Sequence, residues 1–470
     1  MTDAATPIAL DTVDLARIQF GMTSIYHFIF VPLTLGLAPL VAVMQTLWHR
    51  KGDEHWLRLT RFFGTLLLIN FAIGVATGLV QEFQFGMNWS VYSKFVGDVF
   101  GAPLAIEGLA AFFLEATFLG LWIFGWNRLS PRLHLATIWI VALGTWLSAY
   151  FILVANSWMQ HPVGYKIVGG KAELTDVGAL LSNSFALRAF LHTILAALTT
   201  ASIVVFGVAC WHILRRRNIE LFRKAAALAL IVAVPATIAN LTVGSRFGEA
   251  VTSAQSMKIA ATETLWDTEQ PASFSAFQIG GFTQEDQDPS FAIEIPRLLS
   301  FLATGSFNGE VEGMNQLQAD AERRFGPGNY IPSVETVYWA MRVMAYLGTL
   351  MALVAVVGAY LYRRRKLETA RWFLWTAVVT TASPFLAAAA GWILTEMGRQ
   401  PWIVQDLLKT DGAHSPNVGS ATIATSIGVF ATLYVALGVV DFILMRRYAR
   451  IDPPEPRGGD RDAALTAPGY

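Results

Sequence analysis

Charged residues in this chain are confined to short clusters that separate long apolar runs. Runs long enough to cross a ~30 Å hydrocarbon core lie at about 22–47, 61–81, 99–126, 134–158, 185–213, 225–244, 335–361, 372–396 and 419–445. They predict an all-α, polytopic membrane protein with nine transmembrane helices. The polar punctuation has its own regularity. Arg50, Lys51, Arg58 and Arg61 follow the first run, and Arg128 and Arg132 the third. Arg215, Arg216, Arg217, Arg223 and Lys224 follow the fifth, Arg363, Arg364, Arg365, Lys366 and Arg371 the seventh, and Arg446, Arg447 and Arg450 the ninth. Basic ends of this kind face the cytoplasm, so the N-terminus is expected outside and the C-terminus inside.

The predicted organisation is spans one to six over 1–244, one large extracytoplasmic loop over 245–334, spans seven to nine over 335–446, and a cytoplasmic tail over 447–470. The loop is rich in Gly, Ser and acid (GGFTQEDQDPS at 280–290, FGPGN at 325–329), with short helical pieces expected, such as 250–266. A loop that long in a compact protein is usually functional or disordered. The tail is rich in Pro, Gly and charge and predicts disorder. No inverted repeat of the transporter kind is visible.

Composition narrows the class. The 470 residues are 54% hydrophobic and 14% charged, too apolar for an ordinary soluble enzyme. Fifteen Trp and 31 Phe suit interfacial aromatic belts. A formal net charge of zero argues against nucleic acid as a partner. The single cysteine, Cys210, excludes an intrachain disulfide, a cysteine-held iron–sulfur cluster and a C-x-x-C-H haem attachment, and reads as filler in an apolar helix. The first 20 residues contain Asp3, Asp11 and Asp14 and lack a basic start before an apolar core, so no cleaved signal peptide is expected.

Against this apolar background the ionisable residues inside spans carry the chemistry. Residues 372–395 hold no charge, and Glu396 follows in GWILTEMGRQPW (391–402). An intramembrane charge costs roughly 2.5–3.5 kcal/mol on insertion scales and usually persists for a function. Trp392 and Arg399, four before and three after, share roughly its helical face. An aromatic wall, a carboxylate and a guanidinium suit a planar anionic cofactor; an interfacial Glu–Arg pair is the plainer alternative.

Of eight histidines, His49, His55, His161 and His414 fall in loops and His134 and His212 at cytoplasmic span ends, where solvated or interfacial side chains are expected. His27, early in span one, and His192, early in span five, lie near the outer surface. Glu107 early in span three, Met344 early in span seven and Glu396 at the end of span eight share that depth. His, Met and occasionally carboxylate ligate haem iron, and a His/Met pair gives a low-spin electron-transfer haem; core histidines and soft filler methionines are the alternative. Glu115, eight residues after Glu107, lies roughly 12 Å deeper and within about 80° of the same face. Two carboxylates in series suggest a proton relay; the lesser alternative is that each pairs with an Arg or Ser on a neighbouring helix. In the loop, Lys258 and Glu263 are five apart, poorly spaced for a mutual salt bridge, and by themselves read as a solvated face.

Taken together, RIQFGMTSIYHFIFVPLTLG (17–36), GLVQEFQFGMNW (78–89), GAPLAIEGLAAFFLE (101–115), ANSWMQHPVG (155–164), the span-five histidine, MRVM (341–344) and GWILTEMGRQPW resemble subunit I of cytochrome bd-type quinol oxidases over nearly all the spans. The resemblance implies a quinol:oxygen oxidoreductase of a bacterial cytoplasmic membrane. It would carry two haems b, one low-spin and one high-spin, and one haem d, with membrane quinol and dioxygen as substrates. A second large membrane subunit is implied as partner, and small single-span subunits are allowed. His192 and Met344 then match the axial ligands of the low-spin haem, and His27 and Glu396 the proximal ligands of the high-spin pair. Glu107 matches the carboxylate on the oxygen-reactive haem, and Glu115 the next proton-path residue. Arg342 matches the arginine near the low-spin haem, and Arg399, with Trp392, flanks the span-eight glutamate. Lys258 and Glu263 match the quinol-contacting pair, which overrides the solvated-face reading. Only about 70 residues separate Glu263 from span seven, so this is the short-loop variant.

With the haems near the outer face, protons from quinol would leave outside. Protons used to make water would come from the cytoplasm through Glu115 and Glu107 or through the partner subunit, giving a proton motive force without pumping. Two competing readings are a di-haem quinone-linked cytochrome b, which wants paired histidines on facing helices, and a haem-free proton-coupled transporter, which would show no visible absorption.

Overall fold

The computed structural model describes residues 11–453. Among them, nine helical segments are long and apolar enough to cross a membrane, and each overlaps one of the nine predicted runs. The protein is a multi-pass membrane protein. The first span is α1 (Thr12–Lys51), the second α2 (Glu54–Met87). The third is composite: α3 (Ser90–Ile106), a π-helical stretch (Glu107–Phe112) and α4 (Phe113–Phe124). The fourth is α5 (Pro131–Gln160). A small hairpin, β1 (Tyr165–Val168) with β2 (Lys171–Leu174), and a short α6 (Val177–Leu181) lead into the fifth span, α7 (Ser184–Leu214). The sixth is α8 (Ile219–Ala254).

The long loop contains α9 (Ser256–Thr262), the antiparallel hairpin β3 (Phe274–Gly280) with β4 (Pro289–Ile295), α10 (Leu298–Thr304) and α11 (Met314–Phe325). The seventh span is α12 (Val334–Arg363). The eighth is broken into α13 (Arg371–Thr380) and α14 (Ser383–Met397). Pro384 lies in the first turn of α14, where its missing N–H costs nothing but cannot continue the preceding helix. A minimal pair, β5 (Trp402–Val404) with β6 (Leu408–Lys409), precedes the ninth span, α15 (Ser420–Tyr448).

The helices overrun the apolar runs by several residues at about half of the ends, because hydropathy marks the membrane-buried part whereas hydrogen bonding continues beyond it. The expected helix over 250–266 is divided: α8 runs to Ala254, Gln255 leaves helical geometry (φ −145°), and α9 stops at Thr262. The ninth helix continues past 446 to Tyr448, and the following residues pack rather than project: Arg58 donates to the Pro453 carbonyl (2.8 Å) and Asn218 to Asp452 (2.9 Å). The rest of the tail lies outside the described residues.

Two faces separate cleanly. On one, Lys224 pairs with Asp53, Arg223 with Glu368, and His212 meets the Ala449 carbonyl, so the arginine-rich turns gather there. On the other, Gln255 donates to the Gln160 carbonyl, joining the long loop to the end of α5, and Ser90 N–H donates to Ser415, joining the turn after α2 to the segment after α14. The main apolar core fills the half nearer the basic face, around Met44, Phe62, Phe63, Trp122, Phe206, Phe222 and Phe373. α7 is the most enclosed span and α15 the least. α1 and α7 touch so closely at Gly36 that any Cβ there would overlap the Ala197 carbonyl.

Two histidines expected at solvated or interfacial positions are instead in this core. His134 is buried between Gln45 (2.8 Å) and the Trp122 carbonyl (2.8 Å), and His212 stacks on Phe222 at 3.8 Å between centroids. A position near a span end is set by sequence, but its enclosure is set by which neighbour packs over it.

Candidate functional site

The half nearer the long loop carries most of the buried polar side chains proposed for chemistry. His27, on α1, accepts or donates through Nδ1 to Thr77 of α2 (3.0 Å), and its ring lies against Gly78, where a Cβ would approach within 3.0 Å. His192, on α7, faces Gly244 of α8 in the same way (3.1 Å), and its buried Nδ1 has no hydrogen-bond partner. The Met344 sulfur, on α12, lies against Gly391 of α14, with 3.0 Å to a Cβ built there. All three rings or sulfurs thus face a residue without a side chain.

Glu396, at the end of α14, is held from two sides. Asn156 of α5 donates to Oε1 (3.0 Å), and Arg399 pairs with Oε2. Arg399 is buried, yet its Nε and Nη1 have no acceptor. Trp392 packs edge-on against Phe28 of α1 at 4.8 Å between centroids. The bond from Asn156 begins a longer chain: Gln160, one turn on, donates to Asn156 Oδ1 (2.9 Å), and Gln160 Oε1 accepts from Lys258 Nζ (2.9 Å). Three side chains therefore connect the long loop to the span-eight carboxylate: Lys258, Gln160 and Asn156.

Lys258 and Glu263 are buried, not solvated, and they do not pair with each other. Glu263 receives Arg342 Nη2 at 2.7 Å. The Arg342 guanidinium also donates to the Ser275 and Thr262 carbonyls and lies 3.8 Å from the Tyr338 ring centroid. Burial pushes the Lys258 ammonium down to about 7, Arg399 adding to the effect and Glu396 opposing it. Burial pushes the Glu263 carboxyl up to about 7, with the Arg342 contact pulling the other way. Near neutrality both groups can change charge, which suits proton handling.

Glu107 and Glu115 are buried and both face α5. Ser148 donates to Glu107 (2.7 Å), and Gly144, one turn earlier on α5, lies against the Glu115 Cβ at 3.0 Å from where its own would be. The sequence geometry assumed a regular helix, with the two carboxylates some 80° apart. The π-helical stretch that begins at Glu107 winds less per residue and so changes that phase; such stretches recur at functional sites.

These donors fit haem. Among the described residues no three of His, Cys, Asp and Glu gather as a metal cluster; a porphyrin supplies four nitrogen ligands and needs only one or two from the protein. The unpartnered Arg399 donors fit an anionic substituent beside Glu396, and the glycines facing His27, His192 and Met344 leave those side chains unobstructed.

Sequence reasoning did not assign Asn156, Gln160 or Ser148. Asn156 and Gln160 stand in the quoted ANSWMQHPVG run, an amide pair spaced i, i+4 at the end of an apolar helix, and that spacing is the signal that could have flagged them.

Residues 15–453 match the family described as cytochrome bd terminal oxidase subunit I. The chain is 46% identical to cytochrome bd ubiquinol oxidase subunit 1 of Bacillus subtilis over 92% of each chain. It is 37% identical to cytochrome bd-II ubiquinol oxidase subunit 1 of Escherichia coli, over 94% of this chain and 97% of the relative. Among solved structures it resembles the bd oxidase from Geobacillus thermodenitrificans, with a TM-score of 0.84 and 28% identity over 94% of this chain and 98% of that one.

Proposed function

This chain belongs to the cytochrome bd terminal oxidase subunit I family, and from that premise we propose how its residues divide the work. The protein is a membrane subunit of a respiratory quinol:oxygen oxidoreductase, uses haem cofactors and a quinol substrate, and works with a subunit II. That membership removes the transporter and the di-haem cytochrome b.

The proposed cofactor set is two haems b and one haem d. His192 and Met344 hold the low-spin haem, and His27 and Glu396 the high-spin pair. Glu107 stands on the oxygen-reactive side, with Arg342, Arg399 and Trp392 beside the groups. When bound, haem supplies electron transfer and oxygen reduction; the remaining tasks fall to the side chains. Lys258 and Glu263 bind the quinol head, and Glu263, once ionised, takes its proton. Glu115 and Glu107 carry protons inward from the cytoplasmic side, with Ser148 holding the Glu107 carboxyl. The orientation that supports this has the N-terminus and the 245–334 loop outside and the 447–470 tail inside, in a bacterial cytoplasmic membrane. The protonmotive yield then comes from topology, without a pump.

The observation that carries this reading is the hydrogen-bonded chain from Lys258 through Gln160 and Asn156 to Glu396. It ties the proposed quinol site to a proposed haem ligand. Gln160→Leu removes the buried acceptor of Lys258, and a buried donor left unpaired costs ~1–3 kcal/mol. The expected result is a drop of about tenfold or more in kcat/KM for quinol, with all haem bands retained in the reduced-minus-oxidised spectrum. Wild-type quinol kinetics in Gln160→Leu would detach Lys258 from substrate binding.

The pH profile follows with its sign. Glu263 must be ionised to accept a proton, so activity falls as pH drops below about 7. Lys258 must be charged to hold the quinol oxygen, so activity falls as pH rises above about 7. A kcat/KM profile for quinol peaking near neutrality is therefore expected. Glu263→Gln should lower the rate and abolish the acid limb, and Lys258→Met should abolish the alkaline limb. A profile unchanged in shape in both variants would place the titrating groups elsewhere.

A further inference from the structure

The β3–β4 hairpin is amphipathic in the wrong sense for a loop in water. Its register pairs Phe277 with Ile293 and Ile279 with Phe291, so these four share one face. Ile279, Phe291 and Ile293 are each more than half exposed, and Ile295 nearly so. The polar residues turn inward: Ser275 and Gln278 are buried, Ser275 meets the Tyr338 hydroxyl at 3.0 Å, and Gln278 accepts from Thr264 at 2.7 Å. Exposed contiguous apolar surface of this kind marks contact with a partner or a membrane.

Depth decides between water and lipid. The Ser275 carbonyl accepts from Arg342 Nε (3.1 Å), and the Ala276 carbonyl accepts from the Tyr346 hydroxyl. About 20 helical residues span the ~30 Å core. Counted back from Arg363 at the basic end of α12, that length reaches the Arg342–Tyr346 level. β3 therefore lies against α12 at the membrane boundary, and β4 lies outside β3. The exposed stripe of α12 below it, Val343, Tyr346, Leu350 and Leu353, continues the apolar surface downward. The acidic turn of the hairpin, Glu285, Asp286 and Asp288, is its polar end, and the exposed Glu294 of β4 alternates with Ile293 and Ile295, on the opposite face of the strand.

We propose that this hairpin is seated in the boundary between headgroups and acyl chains, with lipid covering Ile279, Phe291, Ile293 and Ile295. It rests on the membrane reading alone and goes beyond the assignment of Lys258 and Glu263. The consequence is that lipid anchors the loop from outside, while the inner face of the same hairpin holds Arg342, the partner of Glu263. The membrane surface thereby becomes part of what holds the quinol-site carboxylate in place.

The test uses the assembled oxidase in nanodiscs of phosphatidylethanolamine and phosphatidylglycerol. Single spin labels are attached at Ile293→Cys, Ile295→Cys and Asp286→Cys. The one native cysteine, Cys210, is fully buried, and the unsubstituted chain supplies the background. Oxygen concentrates in hydrocarbon, and a neutral nickel chelate stays in water. Labels at 293 and 295 should relax several-fold more strongly with oxygen than with the chelate, and the label at 286 should show the reverse. Chelate-dominated relaxation at 293 and 295 would place the hairpin in water and overturn the proposal. Protection from both reagents at those two positions would overturn it too, because protein would then cover the face.

Discussion

Met344→Leu should leave an assembled oxidase in which the low-spin haem has become high-spin. Met and Leu differ little in volume, and such exchanges usually cost under ~1.5 kcal/mol. The end of the side chain lies against Gly391, which presents no side chain of its own there. What would be lost is the soft thioether proposed to hold the low-spin haem. The proposed partner, His192, lies on α7 against Gly244 of α8, a contact that does not involve Met344. Electron transfer from quinol should slow by on the order of tenfold or more, since even changes in residues that only support a ligand cost 10–100-fold. Low-temperature magnetic circular dichroism, which separates spin states, reads the conversion, and stopped flow reads the rate. An unchanged low-spin signal would remove Met344 from the ligand set and return it to core packing.

The nine spans were legible because bilayer thickness fixes the length of an apolar run, and no tertiary detail is needed to see it. The basic ends were legible for a similar reason, and the pairs Lys224–Asp53, Arg223–Glu368 and His212–Ala449 gather them on one face. The hairpins were not. β3 and β4 hold bulges after Ser275 and Ile279, which interrupt the period-2 pattern, and their apolar face points outward, against the usual expectation. The π-helical stretch was equally invisible, since its sequence, EGLAAF, carries no feature that distinguishes it from an α-helix.

For the candidate site, residue type and depth were readable and connectivity was not. By spacing alone Lys258 and Glu263 read as a solvated face, because each finds its partner far away in sequence, at Gln160 and Arg342. Arg342 illustrates the gain. By position it neighbours Met344; by geometry it also holds Glu263 and two loop carbonyls, so one side chain ties the proposed low-spin haem site to the proposed quinol site.

Glu115→Leu should nearly abolish the electrogenic phase that follows oxygen binding while leaving quinol binding and the low-spin haem intact. Glu115 is buried against Gly144, and Glu107, on the same composite span, is held by Ser148 one turn along α5. A relay needs both carboxylates able to gain and lose a proton, and leucine removes one while preserving the apolar packing against α5. Lys258 and Glu263 bond to Gln160 and Arg342 rather than to Glu115, so the proposed quinol site does not share these bonds with the relay. Glu115→Asp keeps a carboxylate one methylene shorter and should retain part of the rate. Glu115→Gln keeps the shape without the proton and should resemble leucine, which distinguishes proton transfer from packing. The measurement is flash-initiated charge displacement across vesicles containing the whole oxidase. Normal amplitude and rate in both Glu115→Leu and Glu115→Gln would mean that protons reach the oxygen site by another path, through subunit II.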